Sequence, residues 1–198
     1  MTAAPSATSL QLAIVLPTLN ERENIAPLVA RIEGALGTSG WEILIVDDNS
    51  ADGTAEEARR LALSDPRLRV IQRIGRRGLA SAAIEGFCAT AAPYVAVMDA
   101  DHQHDPALLA PMLESVRTGQ AEVAVASRFA AGASTSDWNR PNREKLSGIA
   151  NSLARRLTGV ELSDPMSGYF LLPTATARRL APNLSGIGFK ILLDLLAT

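Results

Sequence analysis

The chain has 198 residues, a length that predicts one domain able to bury a core of its own. Hydrophobic residues make up 47% and charged residues 20%, which excludes a disordered or collagen-like chain. Because 19 Lys and Arg residues face 21 Asp and Glu residues, the basic excess typical of nucleic-acid binding is missing and no nucleic-acid partner is expected. The single cysteine, Cys88, excludes an internal disulfide and fits a reducing cytoplasm.

No part of the sequence is expected to cross a membrane. Charged residues, Pro or Gly interrupt every apolar stretch before it reaches the length of about 18 residues that a spanning helix needs. Residues 1–11 lack the basic head and apolar core of a secretory signal, and we expect a flexible tail there. The predicted domain covers residues 12–198.

From Leu12 onward, short runs rich in Val, Ile and Leu alternate with longer segments of helical period. This alternation predicts an α/β fold, a Rossmann-like domain whose mostly parallel central sheet is flanked by helices. The predicted strands cover residues 12–16, 42–46, 68–72, 94–98 and 122–126. Each is short and mostly apolar, as expected for strands covered on both faces.

The predicted helices occupy the intervening segments. They cover residues 24–36, 54–63 and a segment that begins at Pro106 with Asp105 as its N-cap. Cys88 lies in another apolar segment of helical period and is expected in the core. Residues 129–142 are rich in Gly, Ser, Asp and Asn and predict a long mobile loop, which could act as a lid. A helix over 143–157, a strand-like segment over 164–172 and a helix over 188–197 follow.

Acidic side chains follow two of the predicted strands. Asp47 and Asp48 end the second strand, and Asp99 and Asp101 end the fourth. Because ligands bind at the carboxyl ends of the strands in open α/β sheets, these acids are expected to gather at one edge. Their mutual repulsion favours a divalent cation with oxygen ligands, Mg²⁺ or Mn²⁺, which in turn implies a phosphate-bearing ligand.

Several alternatives stay open from the residues alone. An isolated Asp-x-Asp pair can simply end a strand and cap the next helix. His102 and His104 favour a turn role over metal binding, since hard cations prefer oxygen. Arg73, Arg76 and Arg77 could hold a diphosphate or cover a solvated loop. The glycine spacing excludes a dinucleotide fingerprint, and the sequence has no Walker motif and no positioned hydrolase serine.

Five motifs in order carry a family resemblance: LPTLNERENI, IVDDNSADGT, MDADHQHDP, SRF and DPMSGYFLL. With NREKLSGIANSLARRLTG and GFKILLDLL, they resemble the family-2 glycosyltransferases of GT-A fold, most of all the dolichol- or polyprenyl-phosphate mannosyltransferases. The likeness covers about residues 12–196. It implies inverting transfer of a sugar, mannose from GDP-mannose, to a polyprenyl or dolichyl phosphate. It also implies a cytoplasmic protein with peripheral contact at the inner face of the membrane.

The resemblance also implies site residues. The nucleotide side is Pro17, Leu19, Asn20, Glu21 and Asp48. The divalent cation falls to Asp99, Asp101 and Gln103. Contacts with the diphosphate or the acceptor phosphate fall to Arg128, Arg143, Ser147 and Lys190. Of these residues, Asp99, Asp101, Arg128 and Lys190 are the expected catalytic residues.

Departures from the family pattern leave other functions open. Leu19 replaces a common aromatic residue, Ala80 replaces a Gly, and His102 and Asp105 vary the familiar metal loop. Family members generally continue into a further strand and a basic segment, so the domain over 12–198 is expected to be truncated at its C-terminal end, as a fragment or a natural short form. The alternatives are a glucosyl or other sugar transferase of the same fold, and a catalytically silent binder of nucleotide sugars.

Overall fold

A computed structural model describes residues 9–126, 167–188 and 190–198. Within these residues the chain forms six strands and six α-helices. The strands are β1 (Leu12–Thr18), β2 (Trp41–Asp47), β3 (Leu68–Gln72), β4 (Tyr94–Val97), β5 (Ala124–Val125) and β6 (Phe170–Pro173). The helices are α1 (Arg22–Leu36), α2 (Thr54–Ala62), α3 (Leu79–Ala89), α4 (Leu109–Arg117), α5 (Thr174–Leu180) and α6 (Ile191–Ala197). Short 3₁₀ turns cover Pro106–Leu108 and Ala181–Asn183.

The strands form one sheet in the order β3-β2-β1-β4-β6-β5. Strands β3, β2, β1 and β4 run parallel to one another, whereas β6 runs antiparallel between β4 and β5. The strand order reverses between β1 and β4, and the carboxyl ends there open the crevice in which α/β proteins bind ligands. The expected α/β class with a mostly parallel sheet is confirmed.

The core lies on both faces of the sheet, because alternate residues of each strand point to opposite sides. In β1, Leu12, Ile14 and Leu16 pack with α1, α2 and α4, whereas Ala13 and Val15 pack with α3, α5 and α6. These five side chains are at most 1% exposed. The continuous apolar run of β1 follows from this double burial.

Most predicted element boundaries hold to within three residues, and several of the shifts have a local cause. The strand predicted over 164–172 is the exception, since β6 begins only at Phe170 and the described residues 167–169 are not strand. Helix α1 begins at Arg22 rather than at residue 24, because its first N–H group donates to the Asp52 carboxylate from another loop. Helix α6 begins three residues later than predicted, because Gly188 has a φ of +82° and cannot be helical there. Within the described residues, strand β5 is two residues long and pairs with β6.

The prediction that Cys88 belongs to the core is wrong, since its side chain is exposed. Its neighbour Phe87 takes the inward position on α3, and the next residue along the helix lies about 100° further round. The proposed loop over 129–142 and the helix over 143–157 lie outside the described residues. Within the described part of the chain, no helix is long and apolar enough to span a bilayer.

Candidate functional site

The carboxylate of Asp47 at the end of β2 is buried and receives three neutral hydrogen bonds. The hydroxyls of Thr18 and Ser50 donate to its Oδ1 atom at 3.1 and 2.5 Å, and the N–H of Ser50 donates to Oδ2 at 2.9 Å. Such bonds compensate a buried carboxylate without a cation. Asp47 therefore ties the ends of β1 and β2 together instead of facing a ligand.

Asn20 joins the loop after β1 to the loop after β2. Its N–H donates to Ser50 Oγ at 2.8 Å, and its own Oδ1 accepts from the N–H of Ala51 at 3.1 Å. Asn20 and Asn49 have φ values of 59° and 57°, in the left-handed region that Asn tolerates better than most residues. Leu19, one residue earlier, is left 46% exposed at the rim of this loop pair.

Asp52 holds the start of α1 beside the start of α2. Its Oδ1 accepts from the N–H and the hydroxyl of Thr54, and its Oδ2 accepts from the N–H of Arg22 at 3.1 Å. Burial alone would raise the pKa of Asp52, but the bonds from Thr54 and Arg22 outweigh it and hold the pKa below 3.8. The Thr54 hydroxyl in turn accepts from the N–H of Glu21 at 2.9 Å.

Asp48 forms a buried ion pair with Arg73. The Arg73 Nη1 atom lies 2.6 Å from Asp48 Oδ1, and the side chains are 1% and 9% exposed, respectively. The same guanidinium donates to Gly78 O, Ser81 Oγ and Glu85 Oε1. The N–H of Gly78 donates to the second Asp48 oxygen at 2.6 Å. Asp48 and Arg73 together thus hold the turn that leads into α3.

These contacts correct the prediction of an uncompensated cluster of four acids. Neutral hydrogen bonds stabilise the charge of Asp47 and the Arg73 guanidinium pairs with Asp48, so the argument for a cation rests on Asp99 and Asp101. Arg73 is neither a free diphosphate ligand nor a solvated loop residue, since it is buried and engaged on every side. Its neighbour Arg76 is exposed and pairs with Glu85.

Asp99 follows β4 and lies against the backbone of Gly168. A Cβ atom on Gly168 would lie 3.0 Å from Asp99 Cγ and closer still to Oδ2, so only glycine leaves room for this carboxylate. The Nε2 atom of His104 lies 3.3 Å from Asp99 Oδ2 on another side. The Asp99 side chain keeps 34% of its surface exposed and therefore remains accessible to a ligand.

Tyr169 supports the loop after β4, which carries Asp101. Its side chain is fully buried, and its hydroxyl donates to the carbonyl of Asp105 at 3.2 Å. Burial, with a smaller effect from the Asp105 charge, raises the pKa of Tyr169 well above its usual value. The hydroxyl thus stays a donor, and Tyr169 links the start of β6 to the loop after β4.

The side chains of Asp99, Asp101 and Gln103 suit a divalent cation that also binds phosphate. Asp101 and Gln103 are exposed, and the Gln103 N–H donates to Asp101 Oδ1 at 3.1 Å. Among the described ion pairs, neither acid has a Lys or Arg partner. The described ranges contain no group of three or more His, Cys, Asp or Glu side chains placed to hold a metal, so a cation at this site would depend on the two carboxylates together with the Gln103 amide. Two carboxylates and an amide match Mg²⁺ or Mn²⁺, whose shells are completed by water and substrate phosphate.

The segment before α6 reaches the same edge of the sheet. The carbonyl of Gly188 accepts from the N–H of Ala80, in the first turn of α3 that Asp48 and Gly78 support. Lys190 lies two residues further on and its side chain is exposed. Arg128, Arg143 and Ser147 lie outside the described residues.

The structure thus brings two groups of the predicted residues to the carboxyl edge of the sheet. Pro17, Leu19, Asn20, Glu21 and Asp48 belong to the ends and loops of β1 and β2, and Asp99, Asp101 and Gln103 belong to the loop after β4. Arg73, His104 and Gly168 were not predicted in their structural roles. The one sequence signal for the contact with Asp99 is Gly168 itself, since glycine is the usual residue where another group must approach the backbone closely.

A sheet of this topology, with two acids after β4, is the arrangement of a GT-A glycosyltransferase domain. Residues 13–179 match the family model described as "Glycosyl transferase family 2". The chain therefore belongs to glycosyl transferase family 2.

Several proteins similar in sequence to this chain are named for the transfer of mannose. "Dolichol-phosphate mannosyltransferase" of Pyrococcus furiosus is 35% identical over 94% of this chain and 52% of its own length. The Saccharomyces cerevisiae protein of the same name is 36% identical, over 96% and 71%. "Polyprenol monophosphomannose synthase" of Mycolicibacterium smegmatis is 38% identical, over 79% and 59%. The chain thus spans about half the length of the first of these relatives.

Solved structures support the fold. Glucosyl-3-phosphoglycerate synthase from Mycobacterium tuberculosis, crystallised with Mn²⁺, UDP and glucosyl-3-phosphoglycerate, has a TM-score of 0.68 to this chain. The match covers 94% of this chain and 64% of that one at 20% identity. Mannosyl-3-phosphoglycerate synthase from Rubrobacter xylanophilus has a TM-score of 0.63 at the same identity and covers 84% and 55%. At this identity the likeness establishes the fold.

Proposed function

We propose that the chain is the catalytic domain of a polyprenyl-phosphate mannosyltransferase. It would transfer mannose from GDP-mannose to a polyprenyl or dolichyl phosphate with inversion at the anomeric carbon. The observation that carries the proposal is the identity of 35–38% to relatives named for this transfer, over 79–96% of the chain. The loops after β1, β2 and β4 also lie together at the carboxyl edge of the sheet, where α/β proteins bind ligands, and this supports the proposal.

The donor nucleotide would bind at the paired loops after β1 and β2. Pro17, Leu19, Asn20 and Glu21 would line its pocket, and Asp48 would lie toward the nucleoside. Two hydrogen bonds support this placement: the Asn20 N–H donates to Ser50 Oγ, and the Ala51 N–H donates to Asn20 Oδ1. They hold the two loops in one conformation before the donor binds.

A divalent cation, Mg²⁺ or Mn²⁺, would be held by Asp99, Asp101 and Gln103. When bound, it would offset the negative charge of the donor diphosphate. The oxygen-only donor set and the accessible Asp99 carboxylate support this assignment.

The acceptor chemistry requires no strong base, because a phosphate monoester is already ionised near neutral pH. An acceptor phosphate oxygen would form a bond to the anomeric carbon while the bond from that carbon to the diphosphate oxygen breaks. Arg128, Arg143, Ser147 and Lys190 would contact the diphosphate or the acceptor phosphate, since cationic side chains stabilise charge on the leaving group. Such an acceptor implies peripheral contact with the cytoplasmic face of a membrane.

The test compares donors with the purified chain, a short polyprenyl phosphate and Mn²⁺. We expect mannose transfer from GDP-mannose, no glucose transfer from UDP-glucose, and loss of transfer in Asp101→Asn. Glu122→Gln, which changes an exposed acid next to β5, serves as the matched control and should keep full activity.

Two other results would overturn the proposal. A preference for UDP-glucose would make the chain a glucosyltransferase of the same fold. Saturable GDP-mannose binding without transfer would make it a nucleotide-sugar binder.

A further inference from the structure

His104 is buried between the carboxylate of Asp99 and the ring of Tyr169. Its residue surface is 8% exposed, although imidazoles on loops are commonly solvated. On one side its Nε2 atom lies 3.3 Å from Asp99 Oδ2. On the other side its ring packs on Tyr169, with ring centroids 5.0 Å apart and planes inclined at 46°.

The direction of the hydrogen bond follows from the chemistry of the two groups. A carboxylate oxygen only accepts, so the Nε2 atom of His104 must carry the proton that joins it to Asp99. Tyr169 limits rotation of the imidazole, since it is fully buried and is itself held by its bond to the Asp105 carbonyl.

The loop that carries His104 is also held at its backbone. Arg31 of α1 donates from Nη2 to the carbonyl of His104 at 3.4 Å, and its Nη1 lies 3.1 Å from His102 Nδ1. His102 itself has a φ of 64°, in the left-handed region. The imidazole is therefore fixed through its ring and through its backbone.

We propose that His104 is a positioning residue that sets the orientation of the Asp99 carboxylate for the divalent cation. This inference rests on the cation site of the proposed function. The backbone of Gly168 prevents the carboxylate from moving toward β6, and the imidazole holds Oδ2 from another side. The carboxylate is thus oriented before a cation binds. Cation binding therefore does not have to order this side chain, which makes binding tighter.

Three variants separate this role from simple packing. His104→Phe keeps an aromatic ring against Tyr169 but removes the donor, and we expect it to weaken Mn²⁺ binding about tenfold or more. His104→Gln restores an N–H donor at a similar distance and should stay within about threefold of the wild type. Glu122→Gln, which changes an exposed acid next to β5 and outside the cation loop, is the control and should leave Mn²⁺ affinity unchanged.

The readout is Mn²⁺ affinity, measured by electron paramagnetic resonance with saturating GDP and, in parallel, UDP. Far-UV circular dichroism checks that each variant folds. Equal Mn²⁺ affinity of His104→Phe and the wild type would overturn the inference while leaving the cation site intact. Absence of Mn²⁺ binding by the wild type with either nucleotide would overturn the proposed cation site, and the inference with it. Equal weakening in the Phe and Gln variants would show that packing, not the donor, matters.

A measurement on the wild-type protein keeps the inference testable if His104→Phe does not fold. Nitrogen-15 chemical shifts of the His104 ring report which nitrogen carries the proton. We expect a proton on Nε2, and a ring protonated on Nδ1 alone would overturn the proposal.

Discussion

The backbone of Gly168 and the carboxylate of Asp99 are in such close contact that no side chain fits between them. A Cβ atom at residue 168 would lie 3.0 Å from Asp99 Cγ and closer to Oδ2. Residue 168 precedes β6, which inserts between β4 and β5. The antiparallel strand β6 thus shapes the site that follows the end of β4.

Gly168→Ala is expected to displace Asp99 and to weaken Mn²⁺ binding with GDP about tenfold or more. The stability should change little, because a partly exposed carboxylate at the end of a side chain can rotate away. Titration of Mn²⁺ and thermal unfolding measure the two effects. Gly34→Ala, where a Cβ atom would have no neighbour within 4 Å, is the control. Unchanged Mn²⁺ affinity in the first variant would argue against Asp99 as a ligand.

Arg73→Met is expected to lower the free energy of unfolding by about 3–5 kcal/mol, because it leaves the buried Asp48 carboxylate without its cation. Arg76→Met is the matched control, since Arg76 shares Glu85 with Arg73 but is 61% exposed, and it should cost about 0–1 kcal/mol. Urea denaturation compares the two. Similar effects of both substitutions would contradict the structural role of the buried pair.

Gly86→Ala tests the contact between α3 and β1. A Cβ atom there would lie 3.1 Å from Val15 Cβ and closer to both methyl groups. We expect a loss of about 1–3 kcal/mol in the free energy of unfolding from overpacking, despite the better helix propensity of Ala. Gly34→Ala in α1 should instead gain up to about 1 kcal/mol. A stabilising effect of Gly86→Ala would mean that α3 lies further from the sheet.

Asp52→Ala is expected to destabilise the protein in a pH-dependent way. Because the pKa of Asp52 is lowered in the folded state, its ionised form contributes stability above about pH 4, its ordinary range. That contribution is lost as the pH falls below 3.8 and through the lower pKa of the folded state. Denaturation of the wild type and the variant at pH 7 and at pH 2.5 should show a difference that shrinks in acid. A difference of equal size at both pH values would contradict the ionised role.

Lys190→Met is expected to reduce sugar transfer to a polyprenyl phosphate by about 100-fold while GDP-mannose binding is retained. The reason is the negative charge that the acceptor phosphate brings to the site. Arg179→Met, which removes an exposed cation from α5, is the matched control. Initial rates and donor titration separate the two steps. Loss of donor binding and transfer together would place Lys190 at the nucleotide instead.

The sequence by itself determined the sheet-forming segments, the helices between them and the position of the acids at strand ends. These features depend on local patterns: a buried parallel strand must be apolar throughout, and polar residues must follow where it leaves the core. The predicted strand over 68–72 therefore matches β3 residue for residue.

Only the tertiary structure decided which acids have their charge compensated by neighbouring side chains. Asp47 and Asp48 look equivalent to Asp99 and Asp101 in the sequence, but hydroxyls compensate the first and Arg73 the second. Likewise, the contacts of His104 and Gly168 with Asp99 depend on the antiparallel insertion of β6 beside β4. Charge compensation and close backbone approach depend on which residues are neighbours in space. Periodicity along the chain does not predict these contacts, because residues such as Asp99 and Gly168 lie far apart in the sequence.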